Sequence, residues 1–143
     1  MTSRKKPASL GRAPVLVDTS ALAALANRHD DNHQHAREIW RRMQREQCRP
    51  FTTNVLVIET HALLLIRSHH TIARSWLTAQ PFPERWVTEQ EYADARQLIT
   101  EYDDKDFSLA DATSFVVMER MRTQWAFTFD EHFAQYGLNP LTA

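Results

Sequence analysis

Glycine and cysteine are both scarce in this sequence, and each shortage excludes a class of protein. Only two glycines, Gly11 and Gly137, occur in 143 residues. Because glycine-rich loops wrap backbone amides around nucleotide phosphates, two isolated glycines exclude a P-loop and a dinucleotide-binding fingerprint. The single cysteine, Cys48, permits neither an internal disulfide nor a multi-cysteine zinc site. The length predicts one domain, and the cysteine count favours a reducing compartment.

Long apolar runs are missing as well. Uninterrupted apolar runs such as residues 62–66 are far shorter than the roughly 20 residues that cross a bilayer. The basic residues at the start of the chain are not followed by an apolar stretch, as they would be in a secretory signal. We therefore expect a cytoplasmic protein without membrane contact. Its residues 1–13 are interpreted as a basic, flexible extension ahead of one domain at residues 14–143.

Short apolar runs alternate with helical patterns along the rest of the chain. Strands are predicted over residues 15–17, 50–53, 86–88 and 125–129. Helices are predicted over residues 20–26, 33–47, 54–68, 71–80, 89–102 and 109–121, with a short one after residue 130. Strands that alternate with helices are typical of an α/β fold, in which helices cross over between parallel strands.

Two acids stand directly after predicted strands. Asp18 follows the first strand, and Asp130 follows the last predicted one. Functional sites of open parallel sheets lie outside the carboxyl ends of the strands, so the two acids are candidates for one site. Each also has a structural interpretation, because an aspartate in this position can cap the following helix. The residues alone leave both interpretations open.

Glu59 is a third candidate, since it lies inside the most apolar predicted helix. This helix is expected to supply apolar contacts from Val55, Ile58, Ala62, Leu65 and Ile66. A carboxylate on an apolar stripe costs free energy unless it is paired, binds a metal or reaches a cavity. The structural alternative is an ion pair with an arginine of another helix. We favour a functional acid.

Asp111 is the fourth candidate. The sequence Ser108-Leu109-Ala110-Asp111 matches a capping box, in which the aspartate stabilises the start of a helix. Ser108 and Ser114 flank Asp111 at three-residue spacing, which makes one polar strip on an otherwise apolar helix. Hydroxyls beside a carboxylate orient it or bind water, so the capping role and a functional role are compatible.

These phrases together resemble the PIN-domain ribonucleases, and within them the bacterial VapC-like toxins. The matching phrases are Asp18-Thr19-Ser20, Thr52-Thr53-Asn54 leading to Glu59, Ser108-Leu109-Ala110-Asp111-Ala112, and Thr128-Phe129-Asp130. The resemblance covers residues 15–141. It implies a three-layer α/β/α fold with four to five parallel strands. It also implies a metal-dependent endoribonuclease that cuts single-stranded RNA, acts as the toxin of a type II toxin–antitoxin pair, binds an antitoxin and forms a homodimer.

The resemblance also assigns residues by motif position. The catalytic and metal-binding acids would be Asp18, Glu59, Asp111 and Asp130. Supporting positions around them would be Thr19, Ser20, Asn54, Ser114 and Thr128. One departure from the family pattern is the basic extension, because such toxins often begin almost at the first strand.

Carboxylates suit Mg²⁺ or Mn²⁺, which are hard cations that prefer oxygen ligands. We expect Asp18 and Asp111 to hold a first ion, with Glu59 and Asp130 completing or extending the site. The acids at 103, 104 and 106 precede a helix and are interpreted as mainly structural, although Asp104 or Asp106 could approach the site. Seven histidines suggest zinc, but no HExxH pattern accompanies them, and zinc is not favoured.

Charge is unevenly distributed along the chain. Residues 1–49 carry ten basic and five acidic side chains, whereas residues 50–143 carry seven and 13. Arg37, Arg41 and Arg45 recur at helical spacing and would contact RNA phosphates. The alternative is a solvated helix face paired to Glu38 and Glu46.

Two other functions compete with RNA cleavage. An aspartate-nucleophile phosphatase needs a second aspartate two residues after the first, where this chain has Ser20. A non-catalytic PIN-like module that binds RNA or a partner protein is the stronger alternative.

Overall fold

A five-stranded parallel sheet lies at the centre of the structure, a computed structural model that describes residues 9–143. Its strands are β1 (Pro14–Val17), β2 (Arg49–Thr53), β3 (Glu84–Arg85), β4 (Trp125–Phe127) and β5 (Asn139–Pro140). They are ordered β3-β2-β1-β4-β5, and every neighbouring pair is parallel. The predicted α/β class with a sheet of four to five parallel strands is confirmed.

Seven helices connect the strands within the described residues. They are α1 (Thr19–Ala26), α2 (His33–Glu46), α3 (Asn54–Arg67), α4 (His70–Ala79), α5 (Glu89–Glu101), α6 (Leu109–Arg120) and α7 (His132–Tyr136). Between residues 9 and 143 we find no helix with the length and apolar character needed to cross a membrane.

The core forms around the central strand. Val15, Leu16 and Val17 of β1 are fully buried, as expected for a parallel strand that is covered on both faces. Phe115 of α6 packs edge-on against Phe133 of α7, and both rings are fully buried. These rings and the residues of β1 belong to one core cluster, so the first and last parts of the chain share one core.

The strand order decides where the candidate site forms. β1 pairs with β4 in a register that sets Val17 opposite Phe127. The backbone continues this pairing for one more residue, since the Asp18 amide donates to the Phe127 carbonyl at 3.0 Å. The residues that follow these two strands, Asp18 and Thr128, consequently lie side by side at the carboxyl edge of the sheet.

The third strand differs from its prediction. Residues 86–88 were expected to pair, but β3 consists of Glu84 and Arg85, and Trp86 is 72% exposed. The reason lies in the neighbouring strand, because β2 ends at Thr53, which pairs with Arg85. Beyond that point the neighbouring chain turns into α3 and offers no further partners.

The buried face of α3 also differs from its prediction. Ile58 is 69% exposed, Ile66 is 81% exposed, and Ala62 between them is exposed too. The residues that face the core are Leu56, Thr60 and Leu64. The expectation that this stripe supplies apolar contacts is wrong for Ile58, Ala62, Leu65 and Ile66, because the helix turns them to the outside, whereas Val55 is half-buried.

The residues just before β1 are anchored to the domain. Leu10 is buried, and its amide donates to the Glu46 carboxylate at 3.0 Å. The Arg49 side chain donates to the Arg12 carbonyl at 2.8 Å. This part of the predicted extension therefore packs onto the domain. The basic residues at 4–6 lie outside the described residues, and their role stays a prediction.

Candidate metal centre

Asp18 is held at the carboxyl edge of the sheet by two hydroxyl groups. Its Oδ2 atom accepts hydrogen bonds from Ser20 Oγ and from Thr128 Oγ1, each at 2.9 Å. The two hydroxyl oxygens are 3.3 Å apart. Although Asp18 precedes α1, its side chain makes no capping hydrogen bond. The capping interpretation is therefore wrong for this acid, and its carboxylate is oriented by Ser20 in the first turn of α1 and by Thr128 directly after β4.

Burial dominates the electrostatics of Asp18. The side chain is 4% exposed, and this loss of hydration raises its pKa to about 6. Hydrogen bonds from Thr128 and Ser20 oppose the rise, while the negative charge of Asp111 adds to it. A buried carboxylate with a second acid nearby is an environment that favours a bound cation.

Asp111 forms the capping box that the sequence predicts, and its carboxylate also lies beside other groups of the candidate site. Its amide donates to Ser108 Oγ at 2.9 Å, and its Oδ2 atom accepts from the Ser108 amide at 3.1 Å, which completes the capping box. The same oxygen lies 2.8 Å from His132 Nδ1. The cap thus fixes the rotamer of a carboxylate that also belongs to the cluster of acids.

Asp130 and His132 complete this cluster. Asp130 Oδ1 accepts from the His132 amide at 2.9 Å and lies 3.3 Å from His132 Nδ1. The Asp130 amide donates to Thr128 Oγ1 at 3.0 Å, which connects Asp130 to the Asp18 network. Asp130 therefore combines its structural role at the start of a helix with a place in the cluster.

His132 was not among the predicted site residues. Its Nε2 atom lies 3.0 Å from Asp106 Oδ1, so the imidazole contacts acids on both sides. Burial is the largest influence on its pKa and lowers it, but the hydrogen bond to Asp111 and the charge of Asp130 outweigh burial, so the pKa is raised. The signal in the sequence was its spacing, two residues after Asp130. The contact also shows that Asp106, rather than Asp104, approaches the site.

Asp111, Asp130 and His132 are spaced so that together they could hold a metal ion. One ligand atom from each lies within 4.8 Å of the others. Two carboxylates and an imidazole fit Mn²⁺, and the carboxylates also suit Mg²⁺. Ser114, one turn along α6 from Asp111, is fully buried, and its hydroxyl has no hydrogen-bond partner among residues 9–143. An unpaired buried hydroxyl on the helix face of Asp111 is what a site for a hydrated cation would satisfy.

Three predicted site residues lie outside this cluster. Asn54 accepts from the Val87 amide at 2.8 Å, which ties the start of α3 to the segment after β3. The Thr19 hydroxyl contacts the Leu56 carbonyl at 3.5 Å and joins α1 to α3. Glu59 is exposed, and the structure shows no ion pair for it among the described residues.

The position of Glu59 on α3 changes the argument for it. The premise that its carboxylate sits on a buried apolar stripe is wrong, because that stripe faces outward. The alternative of an ion pair with an arginine is also not seen within residues 9–143. Glu59 lies one turn from Leu56, which contacts Thr19, and one turn from Leu63, which lines a cavity beside Ser20. Glu59 therefore lies on the part of α3 that packs near α1, and it is not part of the group formed by Asp111, Asp130 and His132.

The arginines of α2 are separated by the structure into two kinds. Arg37, Arg41 and Arg45 are exposed, and no ion pair is seen for them in the described part of the chain. The predicted alternative, pairing to Glu46, is not formed by these three, because Glu46 pairs with the buried Arg42 at 2.5 Å. The exposed three are referred to below as the α2 arginine stripe.

Two of the histidines that suggested zinc have structural contacts. His33 Nδ1 lies 2.7 Å from the Ala24 carbonyl. His69 caps α4 by accepting from the Thr71 amide at 3.2 Å.

Comparisons with known proteins agree with this arrangement. The model of the PIN domain family matches residues 15–138. The 23S rRNA-specific endonuclease VapC20 from two strains of Mycobacterium tuberculosis, CDC 1551 / Oshkosh and ATCC 25618 / H37Rv, is 31% identical. That similarity covers 86% of this chain and 94% of the relative.

The structural similarity is equally extensive. The crystal structure of Mycobacterium tuberculosis VapC20, described as a sarcin–ricin loop cleaving toxin, superposes with a TM-score of 0.83 at 29% identity. It covers 90% of this chain and 99% of that structure. From the family match, the shared fold and the acids at the strand ends, the chain belongs to the PIN-domain family and is a homologue of the VapC20 toxin endonuclease.

Proposed function

We propose that this protein is a metal-dependent endoribonuclease that cleaves single-stranded RNA, with the sarcin–ricin loop of 23S rRNA as its substrate. The observation that carries the proposal is the convergence of Asp18, Asp111 and Asp130 at the carboxyl edge of the sheet. The VapC20 relatives, whose names record 23S rRNA cleavage, support the choice of substrate.

The cation would be held by Asp111, Asp130 and His132, with Asp18 beside them. When bound, Mg²⁺ or Mn²⁺ supplies an activated water and neutralises the charge that develops on the phosphate and the leaving oxygen. The protein's own contribution is orientation. Ser20 and Thr128 fix the Asp18 carboxylate, and the capping box fixes Asp111. His132 sets the separation of Asp111 and Asp130 by contacting both.

Glu59 is proposed as a further acid of this site. It is exposed, it lies on α3 between Leu56, which contacts Thr19, and Leu63, which lines a cavity with Ser20, and its carboxylate makes no ion pair within residues 9–143. A residue of this kind contributes to activity with little effect on folding. Glu59→Gln is therefore expected to lower the cleavage rate while leaving the melting temperature within about 1 °C, since surface substitutions change stability by less than about 0.5 kcal/mol.

Partners follow from the same proposal. A protein that cuts rRNA inside a cell needs an inhibitor, so we propose an antitoxin protein and a cytoplasmic location. The exposed stripe of Ile58, Ala62, Leu65 and Ile66 on α3 is proposed as the interface of a homodimer, because contiguous exposed apolar surface marks association sites.

The α2 arginine stripe is proposed to bind RNA phosphates. His35, whose ring lies 5.5 Å from that of Phe129, brings the first turn of α2 to the metal centre.

The test is cleavage of a sarcin–ricin-loop RNA hairpin by the wild type and by Asp18→Asn. In Mg²⁺ or Mn²⁺ the wild type should cut the hairpin, and EDTA or Asp18→Asn should slow cleavage by at least about 100-fold. Mn²⁺ should also raise the melting temperature of the wild type more than that of Asp18→Asn, because ligands of the folded state stabilise it. Asp103→Asn, an exposed acid away from the cluster, is the matched control.

Two outcomes contradict the proposal. Cleavage that survives both EDTA and the substitution would show that the acids are not the catalytic group. RNA binding without cleavage in either metal would favour the non-catalytic module.

A further inference from the structure

A polar cavity of about 370 Å³ opens beside the metal centre. It lies between α1, the loop that leads into α2, and the C-terminal half of α3. Ser20, Asn27, Asp31 and Arg67 line it, and Ala23 and Leu63 supply apolar surface. Sites for small ligands typically measure about 300–1,000 Å³ and combine apolar walls with a few placed polar groups.

The cavity touches the metal centre through one residue. Ser20 lines the cavity, and its hydroxyl donates to Asp18 at 2.9 Å. The same hydroxyl accepts from the Phe129 amide at 2.9 Å. A group bound in the cavity is therefore separated from the proposed catalytic acids by a single side chain. A nucleotide bound in the cavity would therefore lie next to a phosphate that these acids cleave.

The polar groups in the cavity offer both donors and acceptors. Asn27 Oδ1 accepts from the His29 amide at 3.0 Å, which leaves the Asn27 amide nitrogen as a donor. Neither the Asp31 carboxylate nor the Arg67 guanidinium has a hydrogen-bond or ion-pair partner in the part of the chain that the structure describes. The Asp31 carboxylate, an amide donor and the Arg67 cation thus line the same space, together with His29, Asp30 and Asn32.

This combination does not favour a metal ion. Asp30 and Asp31 are adjacent, but Asp30 Oδ1 is occupied by the Asn32 amide at 2.8 Å. Among residues 9–143, the three-ligand group with metal-binding spacing is the one at Asp111, Asp130 and His132. A free carboxylate next to an amide donor and an apolar wall instead matches the edge and face of a nucleobase.

We propose that the cavity binds a guanine of the RNA substrate next to the cleaved phosphate, a role that rests on the proposed function. Guanine is the RNA base whose Watson–Crick edge carries two neighbouring donors, N1–H and the 2-amino group. These two donors match the two oxygens of the Asp31 carboxylate. The Asn27 amide donates to the adjacent O6 atom, Leu63 contacts the face of the base, and Arg67 binds the attached phosphate.

The test measures binding of mononucleotides to the full-length protein in EDTA, where no cleavage occurs. Guanosine and inosine 5′-monophosphates differ only in the 2-amino group. In a titration followed by NMR, the wild type should bind the guanosine compound about tenfold more tightly, the discrimination that a good bidentate contact supplies. Asp31→Asn should abolish this ratio, since an amide presents only one acceptor.

Two further variants separate the contacts. Arg67→Met should weaken both mononucleotides and keep their ratio, whereas Arg74→Met, an exposed arginine of α4, should change neither. Asp103→Asn should retain the ratio of the wild type. Equal affinities for the two mononucleotides, or a ratio that survives in Asp31→Asn, would overturn the proposal.

The result is independent of the cleavage assay. A guanosine preference without cleavage of the RNA hairpin would keep the cavity assignment and reject the endoribonuclease. Cleavage of the hairpin without a preference for guanosine would support the endoribonuclease and reject the cavity assignment.

Discussion

Buried carboxylates of this protein fall into two kinds that differ in their partners. Asp18 is surrounded by hydroxyls and another acid, and burial raises its pKa to about 6. Glu91 is fully buried, but the Arg85 guanidinium donates to both of its oxygens at 2.8 Å. This bond is the largest influence on the pKa of Glu91 and holds it below the usual value. Opposite pKa shifts therefore distinguish Asp18, which has no cationic side chain beside it among residues 9–143, from Glu91, which is paired with Arg85.

The Glu91 network holds three elements together. Arg85 belongs to β3, Glu91 to α5, and Arg120 of α6 lies 3.9 Å from the same carboxylate. Glu91 also forms the capping box at the start of α5 with Thr88. Because β3 has only two residues, it forms few backbone hydrogen bonds with β2, and these side-chain bonds add to the interactions that hold it to the domain.

Glu91→Gln is expected to destabilise the protein by about 2–3 kcal/mol at pH 7, since it leaves Arg85 and Arg120 without a buried counter-charge. The folded pKa of Glu91 is depressed, so its contribution is fully present above the ordinary glutamate pKa near 4.5 and is lost as the pH falls below it. The difference in unfolding free energy between the wild type and the variant should therefore shrink in acid. Urea denaturation at pH 7 and pH 3.5 measures it.

Glu89→Gln is the matched control for this prediction. Glu89 is an exposed acid in the first turn of the same helix, so its removal should cost only a few tenths of a kcal/mol. A loss in Glu91→Gln that does not change with pH would contradict the ion-pair explanation.

At the scale of elements, α2 has two faces with different tasks. Ala36, Ile39 and Met43 are buried on one face. On the opposite face the α2 arginine stripe is exposed. Arg42 stands apart from the stripe, since it is buried and donates to the Thr142 carbonyl at 2.8 Å. The helix thus anchors the C-terminal residues on one side and offers a row of positive charge on the other.

The double substitution Arg37→Glu with Arg41→Glu should weaken binding of the RNA hairpin and leave the melting temperature unchanged. In a plot of log affinity against log salt concentration, each lost phosphate contact reduces the steepness of the negative slope by about one. The slope of the double variant should therefore be shallower by about two. Binding is measured with a catalytically inactive Asp18→Asn background, by fluorescence anisotropy at several salt concentrations.

The control exchanges two exposed arginines on other helices, Arg74→Glu with Arg96→Glu. Equal losses in both double variants would indicate a general effect of charge and would remove the stripe from the proposed RNA path.

For the whole molecule, strand order is the decisive feature. Asp18 and Thr128 are 110 residues apart, yet they meet because β1 and β4 are neighbours in the sheet. α6 then brings Asp111 to the same edge. The outer surface of α3, by contrast, is not covered by any other part of residues 9–143, and its exposed apolar stripe is the basis of the proposed homodimer.

Ile66→Glu is expected to convert the proposed dimer to a monomer, because an isologous interface would place the new carboxylate against its own copy or in apolar surroundings. Light scattering after size exclusion should give twice 16.7 kDa for the wild type and 16.7 kDa for the variant. Leu77→Glu, which changes an exposed leucine of α4, should leave the dimer intact. A wild type that stays monomeric at high micromolar concentration would reject the interface.

Much of the fold and most of the candidate site could be predicted from the sequence. The position of Asp18 directly after β1 and the capping box at Asp111 are local patterns that the structure reproduces, whereas β4 ends at Phe127, so that Asp130 follows it at a distance of three residues and not directly as predicted. Glu59 shows where such reasoning fails. An apolar helix sequence predicts burial, but which face of the helix contacts the core depends on the elements that pack against it.

By itself, the sequence determined the alternation of strands and helices, the starts and ends of the helices, and the kinds of acids available for a site. These depend on short-range properties, since periodicity, caps and turn residues act over a few positions. The tertiary structure alone decided that β3 ends with β2, that the Ile58–Ile66 stripe faces outward, and that His132 joins Asp111 and Asp130. Each of these depends on contacts between residues far apart in the chain, which no local pattern contains.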